Sequence, residues 1–181
     1  MNRKRDNQPL TYWNPNSTTC TNTQQLLARP DGSGQCGSWA ELVVDMYKCH
    51  GITSADKVLI VRTLPMGSVG FLVKNWNFIG TGRNPAPWTH TLRSDCVELP
   101  GVPGQQNPNP PPAFVNHFIV IHGGKFYDPS YGSAPFNDQV AWESASIDGL
   151  YQSPNLGGYP KASHLTTKLL KFYNLRTRAL I

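Results

Sequence analysis

No apolar run in this chain of 181 residues approaches the roughly 18 to 20 that cross a bilayer as a helix. The opening MNRKRDNQPLTYW also lacks the apolar core of a secretory signal. These two absences predict a soluble chain with no membrane partner, cytoplasmic or cut from an exported parent. Cysteine is scarce: Cys20, Cys36, Cys49 and Cys96 are too widely and irregularly spaced for a zinc knuckle or a Cys-x-x-Cys redox pair. All four are read as thiols, with no metal expected. No glycine-rich phosphate cradle is present either, since GTGRNP at residues 80–85 has neither the full motif nor a strand-to-helix setting. The expectation is a protein without cofactors.

The formal charge of +5 raises the question of nucleic acid. The basic residues gather at the two ends: Arg3, Lys4 and Arg5, then Lys161, Lys168, Lys171, Arg176 and Arg178 among Leu165, Leu169, Leu170, Phe172 and Tyr173. The second group reads as an amphipathic element with a solvated face. No groove-reading or RNA-binding motif accompanies it, so no nucleic-acid partner is expected.

The length suits one globular domain over residues 1–181 that buries roughly 70% of its unfolded surface. Within it, residues 1–18 read as linker. Residues 80–113 hold Pro85, Pro87, Pro100, Pro103, Pro108 and the run Pro110-Pro111-Pro112, a composition for a long loop expected to border a site. Thr21–Leu27 predicts a short helix broken at Arg29-Pro30-Asp31-Gly32. Gly37–Cys49 predicts a second helix, stopped by Gly51 and buried on most sides by Trp39, Ala40, Leu42, Val43, Val44, Met46 and Tyr47, with Cys49 as a small buried hydrophobe. Lys57–Thr63 and Val69–Phe78 read as strands. Asn137-Asp138 caps a last helix, expected to end near Gly149 and to pack outside the sheet.

Two segments carry chemistry. In Gly34-Gln35-Cys36-Gly37-Ser38-Trp39-Ala40 a cysteine stands among small and polar residues at a helix start, placed to be reached rather than to fill a core. In FVNHFIVIHGGKFYDPSYG, residues 114–132, Gly123-Gly124 is a two-residue hairpin turn. Pairing His122 with Lys125 puts Ile121 opposite Phe126, Val120 opposite Tyr127 and Ile119 opposite Asp128. His117 and Asp128 then share a sheet face as diagonal neighbours, roughly 7 to 8 Å apart at the backbone and within reach of a side-chain hydrogen bond. His122 falls on the opposite face.

A free thiol titrates near 8.5, and a helix dipole worth roughly 0.3 to 1 kcal/mol is too weak to make it a thiolate at neutral pH when each pKa unit needs about 1.4 kcal/mol. An imidazolium oriented by a carboxylate supplies what is missing. Cys36, His117 and Asp128 are the residues available for these three roles. Gln35, Trp39 and Trp76 are the candidates for a second oxyanion donor beside the Cys36 amide.

GQC at a helix start and NHFIVIHGGKFYDPSYG resemble the active-site motifs of transglutaminase-like cysteine enzymes over roughly residues 34–132. The resemblance implies a papain-like α+β fold, the nucleophile on a buried helix and the histidine and aspartate on an antiparallel sheet. It implies Cys36 as nucleophile, His117 as general base and acid, and Asp128 as its orienter. CGSWA is also similar to the motif of papain-type peptidases, but theirs carries a second cysteine directly before the tryptophan, which is absent here. The function expected is cleavage or transfer of an amide in a peptide or protein substrate through an acyl-thioester, with peptidase or amidase ahead of transglutaminase or glutamine deamidase. An effector or toxin domain of a larger protein and a non-catalytic protein-binding module are the alternatives. The oligomeric state is not legible.

Overall fold

The computed structural model describes residues 6–7, 11–12, 20–30, 32–61, 69–73, 113–114, 116–130, 132, 135–152 and 170–181. Helix α1 spans Thr23–Ala28 and starts where Asn22 accepts a hydrogen bond from the Gln25 amide at 2.9 Å, while the Gln25 side chain accepts from the Thr21 amide at 2.8 Å. This reciprocal cap places the first helical residue two positions later than the sequence suggested. Helix α2 spans Cys36–Cys49 and ends where the amides of His50, Gly51 and Ile52 turn back onto the carbonyls of Tyr47 and Lys48. Gly51 takes φ +77°, a left-handed conformation that favours glycine.

Helix α2 is less enclosed than expected. Trp39, Ala40, Leu42 and Val44 are buried, whereas Met46 is 45% exposed. Cys49 is exposed too, contrary to its reading as a small core residue. The reason is periodicity. Glu41, Asp45, Lys48 and Cys49 fall at helical spacings of three, four, seven and eight, a polar stripe that carries the last cysteine to the outside.

Four strands form the main antiparallel sheet in the order β7-β6-β3-β9: β3 (Asp56–Val61), β6 (Asn116–His122), β7 (Lys125–Tyr127) and β9 (Lys171–Asn174). The β6–β7 hairpin has the expected register, His122 opposite Lys125, Ile121 opposite Phe126 and Val120 opposite Tyr127. Gly123 and Gly124 take φ +57° and +74°, as a two-residue turn matched to strand twist requires. Pairing stops at Tyr127, so Asp128 lies one residue beyond the strand instead of facing Ile119 across it. Within the described part of the basic, amphipathic tail, Lys171–Asn174 is strand β9: Lys171 is exposed, Phe172 buried and Asn174 buried, a period of two. Asp56 secures it, accepting from Asn174 at 2.8 Å and from two nitrogens of Arg176 at 2.8 and 2.9 Å.

A second antiparallel sheet has the order β5-β4-β8, from β4 (Val69–Val73), β5 (Ala113–Phe114) and β8 (Ile147–Gln152). A short parallel pair joins β1 (Thr11–Tyr12) to β2 (Ser33–Gly34). Residues 11–12 are thus structure within the stretch read as linker, and Ala113 begins a strand rather than ending a loop. The rest of the proline-rich segment, 80–112, lies outside the described residues, as do Cys96, Lys161 and Lys168.

Helix α3 spans Gln139–Ser146, capped by Asp138, whose side chain accepts from the Ala141 amide at 2.7 Å. It ends three residues before Gly149 because Ile147 opens β8. Nor does it pack merely outside the sheet. Trp142 is fully buried in one core cluster with Ile60, Ile119, Phe126 and Phe172. The same cluster takes in Cys36, Trp39 and Leu42 from α2, while Ala40, Val44 and Val120 form a second one. The architecture is α+β, with helices on an antiparallel sheet.

Candidate active site

The sheet brings His117 to a defined place. It stands opposite Ile60 of β3, which is itself opposite Phe172 of β9, so three side chains line up on one face. Asp128 arrives from the end of β7, and His117 Nε2 lies 2.9 Å from its Oδ2. The diagonal contact anticipated from the hairpin is therefore made. Both side chains are buried, at 1% and 0% exposure. With Nε2 committed to the carboxylate, Cys36 joins Asp128 among the groups that raise the pKa of the ring.

Burial works against a charged imidazole, but the Asp128 carboxylate outweighs it by charge and hydrogen bond, helped by Cys36, and raises the ring's pKa to about 10. At neutral pH the ring is an imidazolium held by the carboxylate. A cation so placed favours the thiolate form of a neighbouring thiol.

Cys36 is the first residue of α2 and 9% exposed. Its backbone is held by the turn before it. Ser38 donates its hydroxyl to the Gln35 carbonyl at 2.8 Å, and the amides of Ser38 and Trp39 bond the same oxygen at 3.1 Å. The Gln35 side chain does not cap the helix, so no N-cap side chain takes up its leading amides. Close approach of chains is built into this turn. A Cβ on Gly34 would stand 2.4 Å from Ser38 Oγ and 2.6 Å from Leu26 Cδ1, inside atoms that are themselves buried. Gly34→Ala should accordingly cost about 1 to 3 kcal/mol of stability by overpacking, read as a lower denaturant midpoint at unchanged slope. An unchanged midpoint would mean that the turn relaxes freely and does not fix the helix head.

Of the other oxyanion candidates, Gln35 is half-buried at the N-cap, directly beside Cys36. Trp39 lies one turn along α2 and is 3% exposed, with its indole nitrogen buried and unpartnered among the described residues. Trp76 lies outside the described residues. His122 points to the other face as expected, 3.2 Å from Ser54 Oγ and 4.7 Å, ring to ring, from Tyr47.

Trp142 was not anticipated. Its indole Nε1 donates to Asp128 Oδ2 at 3.0 Å, the same oxygen that meets His117, and its ring lies over the imidazole with centroids 6.0 Å apart and planes 20° apart. The available signal was a tryptophan in the first turn of a helix capped soon after the aspartate strand. A buried indole needs an acceptor for its N–H, and a carboxylate already oriented toward a histidine can accept a second donor.

No family model, no curated protein and no solved structure matches this chain. Among the described residues no cluster of three or more His, Cys, Asp or Glu could hold a metal ion, and no helix is long and apolar enough to cross a membrane.

Proposed function

We propose that this protein is a cofactor-free thiol enzyme of the transglutaminase-like, papain-like kind, which cleaves or transfers an amide of a peptide or protein through an acyl-thioester on Cys36. One observation carries the reading. A thiol at the head of α2 bears on an imidazole whose Nε2 is held by a buried carboxylate. A structural cysteine has no need of such a partner.

The chemistry follows from the charges. The Cys36 sulfur attacks the carbonyl carbon, and the oxygen, now negative, takes a hydrogen bond from the Cys36 amide at the uncapped helix start. As the C–N bond breaks, His117 gives its proton to the departing amine and becomes neutral, with Asp128 holding the tautomer. Water then gives a proton to His117 and attacks the thioester carbon, the S–C bond breaks, and the imidazolium is restored beside the thiolate. Admission of water alone gives hydrolysis, with peptidase or amidase activity the outcome favoured, whereas an amine that enters in its place gives transfer.

Heat-denatured casein presents backbone amides and glutamine amides together and is a suitable first substrate. Incubation should release new amino termini if backbone amides are cut, ammonia if glutamine amides are, and crosslinked species if lysine amines resolve the thioester. Each product should vanish in Cys36→Ala. Absence of all three, with Cys36 of ordinary thiol reactivity, would overturn the reading in favour of a binding module.

A further inference from the structure

The reading above leaves Trp142 without a role, although it touches both partners of Cys36. Two donors, His117 Nε2 and Trp142 Nε1, converge on Asp128 Oδ2 at 2.9 and 3.0 Å, while Oδ1 is buried with no hydrogen-bond partner among the described residues. A carboxylate free to choose would turn so that each oxygen met one donor. Here the indole stops that turn, because it is itself wedged: 1% exposed, edge-on to Phe172 at 5.7 Å, on a helix whose start is capped. Packing of α3 is thereby transmitted to the orientation of His117.

We propose that Trp142 is a positioning residue of this site, whose indole N–H selects the Asp128 oxygen that faces His117 and takes up part of that oxygen's charge. The proposal rests on the assignment of Cys36, His117 and Asp128 as a working triad.

The charge-sharing has a direction. While His117 is an imidazolium, the carboxylate is already compensated and the indole bond adds little. Once His117 gives its proton away, the buried carboxylate has only the indole, so the bond strengthens in that state. Trp142 thus favours release of the proton, which leaving-group protonation requires. Among the described residues, Asp128 beyond β7 and Cys36 at the head of α2 carry the charge that acts on His117, while β3 and β9 offer Ile60 and Phe172. Glu143, buried beside Trp142 on α3, is not among the groups whose charge moves His117.

The test is Trp142→Phe, which keeps an aromatic ring over the imidazole and removes the donor. Followed by NMR of the His117 ring protons, the inflection should move upward by roughly half to one pH unit, a fraction of what a hydrogen bond to a charged group is worth. Loss of packing alone admits water and moves it downward, toward an ordinary imidazole. An inflection that stays or falls therefore overturns the proposal. A second measurement covers a variant that fails to fold. In the unmutated protein, the Trp142 indole proton should move downfield as His117 titrates, and the movement should be absent in Asp128→Asn; an indole proton indifferent to that titration overturns the proposal equally. Both readings are repeated in a Cys36→Ala background. There they succeed or fail by the wiring of Trp142, whereas the casein assay decides separately whether the thiol performs chemistry.

Discussion

Alkylation of Cys36 by iodoacetamide should proceed at nearly the same rate at pH 6 as at pH 8, and in His117→Ala it should instead climb about tenfold per pH unit over that range. A free thiol near 8.5 is roughly 0.3% thiolate at pH 6, so its rate follows the thiolate fraction upward. In the unmutated protein the neighbouring ring holds its proton up to about 10. On the proposed reading that cation stands beside the sulfur throughout this range, so its influence on alkylation does not change between pH 6 and 8. The absolute rates are the weaker test, because a thiolate of low basicity is also a weaker nucleophile, and removing the imidazole opens room around a sulfur that is only 9% exposed. Both effects narrow the advantage of the unmutated protein at pH 6, to about tenfold or less. The shape of the profile is free of both. Parallel profiles in the two proteins would show that His117 does not activate Cys36, and the proposed function would fall with it.

How far the sequence carried can be judged residue by residue. The hairpin was legible because Gly123-Gly124 admits few turns, and a two-residue turn sets the register of everything it joins. From that register alone His117 and Asp128 share a face, and their hydrogen bond is made. The start of α2 at Cys36 was legible for a similarly local reason, a glycine-rich turn giving way to helical periodicity. What escaped was long-range. The stretch Gln139–Gly149 has no local mark of where helix becomes strand: Ile147 leaves α3 because β4 offers Val73 as its partner, a fact set by a segment over seventy residues away. With that boundary went the placement of Trp142, which depends on how α3 lies over a sheet assembled from four separated strands. Cys49 departs from expectation for another reason. Its stripe with Glu41, Asp45 and Lys48 was present in the sequence, but the surrounding apolar residues outnumbered it.

Replacing Asp128 by asparagine should have the largest effect of any single change on the titration of this protein. Asparagine preserves size and can still accept from the Trp142 indole, so packing is nearly undisturbed while the charge is gone. Two influences then no longer oppose each other at His117: burial, which disfavours the imidazolium, persists, and the carboxylate that outweighed it does not. The inflection should drop from about 10 to the ordinary 6.5 or below, more than three pH units. Stability must follow. A histidine whose pKa is raised on folding contributes stability in full below its unfolded value near 6.5, and that contribution is lost as pH rises through the folded value. In the unmutated protein it fades between about pH 6.5 and 10, by at most about 1.4 kcal/mol per pH unit, and on the order of several kcal/mol in all. Asp128→Asn has no such contribution to lose. Denaturant melts across this range should therefore show a wide gap between the two proteins near pH 6.5 that narrows steadily as pH 10 is approached. A gap of constant width would mean that the imidazolium is not held by this carboxylate in the folded state. A flat alkylation profile of Cys36 would then need a cation other than His117, because the charge of Asp128 is what outweighs the burial that disfavours this imidazolium.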